Sequence, residues 1–309
     1  MGMAQQHVPI HRRCLTAAAA TLVLTIAACT AGDTGDGNGG TSPAAGPASP
    51  TTVAGAPAVA GNVLPGEHVH ALSRNPADGD VYLATHEGLY RMAPGAAPAR
   101  VGPVIDLMGF TVAGPNHFYA SGHPGENTDL PDPVGLIEST DGGRSWVPLS
   151  RQGRSDFHTL ATSSAGIVGY DGETLAVTSD GRTWQTLTAP VTPHAAAAFP
   201  DGATVLLTSP SGLARSSDGG RTWTQIATPI LPQLTAFADT RHAAAVSPDG
   251  RVATSNDAGA TWQTRGSIEG EPHAISAAAT PSGAEILAVG ENRLQRSVDD
   301  GATFTPYQP

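Results

Sequence analysis

The chain has no lysine: all 16 of its basic residues are arginine, against 27 acidic ones, for a formal net charge of −11. An acidic balance of this kind argues against recognition of nucleic acid through a basic surface. Cysteine is almost absent. Cys14 and Cys29 are the two, and none follows in the remaining chain. Residues beyond 29 therefore form no disulfide, no thiolate metal site and no cysteine nucleophile. No long helical periodicity appears. The one sustained apolar stretch, residues 15–28, is too short and too rich in Ala for a convincing permanent membrane span. Residues 30–62 hold almost no large apolar side chains, and such a segment cannot bury enough surface to offset its ordering entropy.

What is present at the N-terminus reads as an export signal. Arg12 and Arg13 precede the apolar stretch, which ends in Leu24-Thr25-Ile26-Ala27-Ala28-Cys29. Small residues directly before a Cys resemble the lipobox of bacterial lipoproteins. That resemblance implies cleavage before Cys29, a lipid on Cys29 and attachment to the extracytoplasmic side of the cell membrane. The Arg12-Arg13 pair leaves the general and twin-arginine export routes both open. The expected organisation is a signal peptide over 1–28, a Gly/Ala/Pro/Ser/Thr tether over 29–62 and a folded domain over 63–309.

Internal repetition dominates the rest. Ser139-Thr140-Asp141-Gly142-Gly143-Arg144-Ser145-Trp146 returns around Asp218, Asp257 and Asp299, and in degenerate form as Ser179-Asp180-Gly181-Arg182-Thr183-Trp184, where the Asp reads as slipped by one position. The closing aromatics stand at 146, 184, 223, 262 and 304. Short runs of Val, Leu, Thr and Ala between Gly, Pro and Asp read as strands. A period near 40 with four strands per unit is the propeller pattern. The predicted fold is all-β, a propeller of six four-stranded blades, with seven as the alternative. Residues 62–67 are a candidate edge strand for closing the ring.

The repeated octapeptides resemble Asp boxes, the S-x-D-x-G-x-T-W hairpins of sialidase-like propellers. Their Ser and Asp side chains can bond the turn's own backbone, and Gly permits positive φ. Asp141, Asp180, Asp218, Asp257 and Asp299 are accordingly expected to be structural.

Aligning the units on their boxes places His70, Met108, His158, His194, Gln233 and His273 at one equivalent position. The first strand of a propeller blade lines the central channel, so these six should ring one mouth of it. His68 lies two residues before His70, on the same side of that strand. His86 and His123 fall in loops between second and third strands, on the same face. The candidate metal ligands are therefore His68, His70, His86, Met108, His123, His158, His194 and His273. Imidazole with thioether suits copper, and imidazole with carboxylate suits zinc. Proton transfer or carboxylate binding is the other use of such a cluster. His242 lies away from the ring and reads as structural.

The chain also resembles a family of secreted bacterial Asp-box propellers usually labelled glycosyl hydrolase. The matching residues are His68-Val69-His70-Ala71-Leu72, Thr85-His86-Glu87-Gly88-Leu89, Met108-Gly109-Phe110, Ser121-Gly122-His123-Pro124, Asp156-Phe157-His158 and Gly169-Tyr170-Asp171. The resemblance implies a glycosidase, whose catalytic candidates would be Glu87, Glu126, Tyr170 and Asp171. A hydrolase of that kind needs two placed carboxylates, and no spacing among Glu87, Glu126, Asp129, Asp156 and Asp171 pairs any two. The arginine triad of a true sialidase has no counterpart: Arg144, Arg182 and Arg221 are inside boxes, and Arg91, Arg215 and Arg296 are in third strands. A second resemblance, in fold alone, is to the propeller assembly factors of photosystem II, which bind protein.

The leading expectation is a lipid-anchored, monomeric, non-enzymatic propeller that binds a metal ion, copper or zinc, or a small ligand at its histidine-rich mouth. A glycosidase and a protein-binding module are the alternatives.

Overall fold

The computed structural model describes residues 64–309 apart from Glu67, Asn127 and Ser282. The expected signal, Cys29 and tether lie outside the described residues. Among the described residues there is no helix, and 24 strands form six four-stranded antiparallel sheets. These are the six blades of a β-propeller, and the seven-bladed alternative is set aside. Each blade is contiguous in sequence. The innermost strands are Val69–Arg74, Ile105–Gly114, Thr159–Ser163, Ala195–Ala198, Leu234–Phe237 and Pro272–Thr280. Residues from all six line one central channel.

The second strands explain why the apolar runs in the sequence do not alternate. Val81–Thr85 and Val205–Ser209 are buried at every position, because each blade packs on a neighbour at both faces. A short unbroken apolar run is what such a strand needs. The innermost strands converge near the axis, where small side chains fit. Ala195–Ala198 is the extreme case, four consecutive buried alanines.

The repeated octapeptides close the turns between third and fourth strands through their own side chains. In the box at 139–146 the Ser139 hydroxyl donates to Asp141 Oδ1 at 2.8 Å and accepts the Gly143 N–H at 2.8 Å. Asp141 in turn accepts the Ser145 N–H at 3.0 Å and its hydroxyl at 2.6 Å. The same bonds recur around Asp218, Asp257 and Asp299. In the degenerate box, Thr178 rather than Ser179 fills the first position, its hydroxyl donating to Asp180 at 2.9 Å. Asp180 has therefore not slipped. The missing residue falls after it, and Asp180 accepts the N–H of Thr183 three positions on instead of four.

The ring closes without a shared strand. The sixth blade takes all four strands from 272–306, and the described residues at 64–66 contribute none, contrary to the candidate edge strand. Side chains join the seam instead. Leu64 and Tyr307 are buried together with Val69, Leu72 and Val81 of the first blade and Leu287, Val289 and Leu294 of the last. Glu285, nearly buried, receives two bonds from Arg74 at 2.9 Å and one from Arg296 at 2.5 Å.

Candidate functional site

His70, Met108, His158, His194, Gln233 and His273 all line the channel, as the repeat alignment expects. The cavity they face measures about 630 Å³, and no Arg is among its lining residues. Deeper in, the walls are largely Ala, Thr and Ser from the innermost strands. The chemistry-bearing side chains are thus concentrated at one end.

They form two groups. In the first, His70 Nε2 lies 3.2 Å from His86 Nε2 and 3.4 Å from its Nδ1, and His86 Nδ1 lies 2.8 Å from Asp106 Oδ1. One ligand atom from each of His70, His86 and Asp106 can be chosen so that all lie within 4.8 Å of one another. Local structure puts them there. His70 is in the innermost strand of the first blade, and Asp106 is in that of the second. His86 is the first residue of a two-residue turn between Val81–Thr85 and Gly88–Met92, held by the Thr85 hydroxyl donating to Gly88 O at 2.9 Å. His68 and His273 flank this group. The His68 ring centroid is 5.6 Å from that of His86 and 6.1 Å from that of His273, the latter pair nearly parallel at 11°.

The second group is a string of two hydrogen bonds joined by one ion-pair contact. Asp132 Oδ1 meets His123 Nδ1 at 2.7 Å, His123 Nε2 meets Asp156 Oδ2 at 3.2 Å, and the same Oδ2 meets His158 Nε2 at 2.7 Å. The other oxygen, Asp156 Oδ1, is buried without a hydrogen-bond partner among the described residues. Asp106 and His123 are directly opposed in the first and second strands of their blade, which brings the two groups side by side.

Their protonation is pushed in opposite directions. Burial holds His70 down at about 4, with the neighbouring His86 adding to the effect and Asp106 opposing it. The bond to Asp132 raises His123, with Asp156 adding to it, and the bond to Asp156 raises His158. His70 is thus a neutral imidazole at neutral pH, the form that binds metals.

The remaining candidates are not brought together. Met108 and His194 face the channel, but neither makes a hydrogen bond or ion pair with either group among the described residues. Tyr170 is buried and its hydroxyl donates to Gly172 O at 2.7 Å. Asp171 accepts from Ser155 at 2.8 Å and from the Thr174 N–H at 2.8 Å. Glu87 and Glu126 are exposed turn residues. No hydrogen bond or ion pair joins Glu87, Glu126, Tyr170 and Asp171 to one another among the described residues. His242 bonds Asp239 at 2.8 Å, within its own turn.

Asp106 and Asp132 were not among the expected site residues. A signal for Asp106 was available. The positions two residues before the six aligned ones are His68, Asp106, Asp156, Thr192, Leu231 and Glu271. This is a second ring with the same period, four of its six members able to ligate a metal. Asp132 lies in the long loop between the second and third strands of the second blade and recurs in no other, so repetition could not find it.

No family model matches the chain, and no curated protein does. Solved structures do. The chain is 13% identical to a propeller in a nidogen/laminin complex, covering 74% of this chain and 93% of that one, with a TM-score of 0.58. It is 14% identical to YCF48 from Cyanidioschyzon merolae over 75% of this chain and 96% of that one, with a TM-score of 0.51. It is 16% identical to an ancestral GH74 enzyme, with a TM-score of 0.51, covering 81% of this chain but only 39% of that one. At these identities the likeness is one of fold, a β-propeller.

Proposed function

We propose that this propeller binds a divalent transition-metal ion at one mouth of its channel through His70, His86 and Asp106. The observation that carries the reading is the convergence of two imidazoles and one carboxylate, from two blades and one turn, within 4.8 Å. Exposed carboxylates gather by chance; imidazoles and a carboxylate at the end of an otherwise small-residue channel do so far less readily. The donor set is of nitrogen and oxygen, which suits zinc or copper(II), and the general order of stability places copper above zinc. Met108 supplies no sulfur to this group, so a thioether-based preference for copper is not part of the proposal. Three protein ligands leave room for water or a small ligand on the ion. We further propose that the protein is a monomer held by a lipid on Cys29 at the extracytoplasmic face of the membrane.

The glycosidase alternative has the weaker support, since Glu87, Glu126 and Asp171 form no pair. Titration of the purified protein with zinc and with copper(II), followed by calorimetry, is the direct test. Saturable binding that is weakened, or that loses an ion, in His70→Ala/His86→Ala supports the proposal. Unchanged binding in that double variant, or none in the native protein, overturns it.

A further inference from the structure

The six blades are copies of one another, so a site built from one blade and its neighbour has counterparts around the ring. The group just described takes its ligands from three repeat positions. His70 is at the aligned channel position of the first blade. His86 is first in the two-residue turn after that blade's second strand. Asp106 is two residues before the aligned position of the next blade.

Rotation by one blade carries this pattern onto the seam. His273 is at the aligned position of the last blade. Its second and third strands, Gly283–Gly290 and Arg293–Ser297, are also joined by a two-residue turn, whose first residue is Glu291. Two positions before the aligned residue of the following blade, the first, stands His68. The three counterparts of His70, His86 and Asp106 are therefore His273, Glu291 and His68: again two imidazoles and one carboxylate. No other rotation repeats this. The next pair around the ring is Met108 with Asp156, then His158 with Thr192, His194 with Leu231, and Gln233 with Glu271.

The side-chain geometry brings two of the three together: the His68 and His273 rings face one another, while among the described residues His70, His86 and Asp106 are the group whose three ligand atoms already gather within 4.8 Å, so Glu291 has to turn toward the two rings to complete this set. Metal–nitrogen bonds of about 2.0 Å place the centroids of two imidazoles on one ion roughly 4.5 to 6 Å apart, depending on the angle between them. The His68 and His273 centroids are 6.1 Å apart, just outside that range, so the two rings have to draw slightly closer on one ion. Neither ring has a hydrogen-bond partner among the described residues, and His68 is exposed while His273 is half-buried. The Glu291 side chain folds back over Gly270, three residues before His273.

We infer that the channel mouth holds a second divalent metal ion, ligated by His68, His273 and Glu291, one blade around from the first. This rests on the reading of His70, His86 and Asp106 as a metal site. The His86 ring stands between the two positions, its centroid 4.4 Å from that of His70 and 5.6 Å from that of His68.

The test is a count of bound zinc. The full-length protein, saturated with zinc and freed of excess by gel filtration, is assayed for zinc per chain by mass spectrometry of the element. The expected results are two ions in the native protein, one in His273→Gln and in His68→Gln, and one in Asp106→Asn. Because His68 is exposed, His68→Gln leaves the packing intact and remains interpretable if His273→Gln does not fold. One ion in the native protein, still present in both histidine variants, overturns the second site and leaves the first. Two ions retained in both histidine variants overturns it equally. No ion in the native protein overturns both.

Discussion

Asp106 is the side chain on which the first metal group turns. It is half-buried and its Oδ1 lies 2.8 Å from His86 Nδ1, so it fixes the orientation of that ring and is the carboxylate of the proposed site. Removing its charge while keeping its shape should weaken zinc binding by at least about 10-fold, the lower end of what even supporting partners of metal ligands contribute. Asp106→Asn is expected to show that loss in competition against a chelator of known affinity, whereas Met108→Leu and His194→Gln should bind zinc as the native protein does. Loss of affinity in Met108→Leu equal to that in Asp106→Asn would show that the ligands are elsewhere. Met108 and His194 were as readable in the repeat as His70, yet they stand apart from both groups. Periodicity reports which residues face the channel. It does not report which side chains meet across it, and that depends on neighbours such as Asp106, two residues outside the aligned ring.

At the scale of the element, the repeated box is a turn held by one carboxylate. Bonds from Thr303 and Ser297 hold the Asp299 carboxyl down at about 2, and bonds from Ser145 and Ser139 do the same for Asp141. Asp218 and Asp180 are also lowered by such bonds. A carboxyl in the unfolded chain titrates near about 3.9. A lowered folded value means that the contribution to stability is fully present above that pH and is lost as pH falls through the folded values. The melting temperature should therefore drop as pH falls from about 4 to about 2, and the drop should be shallower in Asp141→Asn/Asp299→Asn. Parallel curves for the two proteins would show that other carboxyls govern acid unfolding. The second glycine of the box makes a separate point. Gly143 has φ +86°, and a Cβ there would lie 2.3 Å from Leu89 Cδ2 of the preceding blade. Gly143→Ala combines a left-handed backbone with overpacking of a buried leucine and should cost about 1–3 kcal/mol in urea unfolding. The boxes were legible because the bonds of their Ser and Asp side chains stay within the turn. The one misreading, at Thr178, arose because a threonine hydroxyl does there what serine does elsewhere.

For the whole molecule, the weak point is the seam between the first and last blades. Number and order of blades could be read from spacing, but closure could not, since Leu64, Tyr307 and Glu285 reach their partners only when the ring is complete. Many residues must be ordered before this contact is made, and no strand crosses it to share the cost. Glu285 is the polar centre of the seam, with Arg74 on the first blade and Arg296 on its own. Breaking a buried ion pair costs about 3–5 kcal/mol when the remaining partner is left buried and unpaired. Here Arg74 and Arg296 are partly solvated and can turn to water, so Glu285→Ala should cost less, about 1–3 kcal/mol. The loss should also be localised. Hydrogen exchange followed by mass spectrometry is expected to show faster exchange in 69–92 and 272–297, with the third and fourth blades, a half-turn away, unaffected. Uniformly faster exchange around the ring would mean that the propeller opens as one unit and that the seam is no weaker than the other blade interfaces. Because His68, His70 and Glu291 straddle this seam, zinc should suppress the local opening in the native protein and partly restore protection in Glu285→Ala.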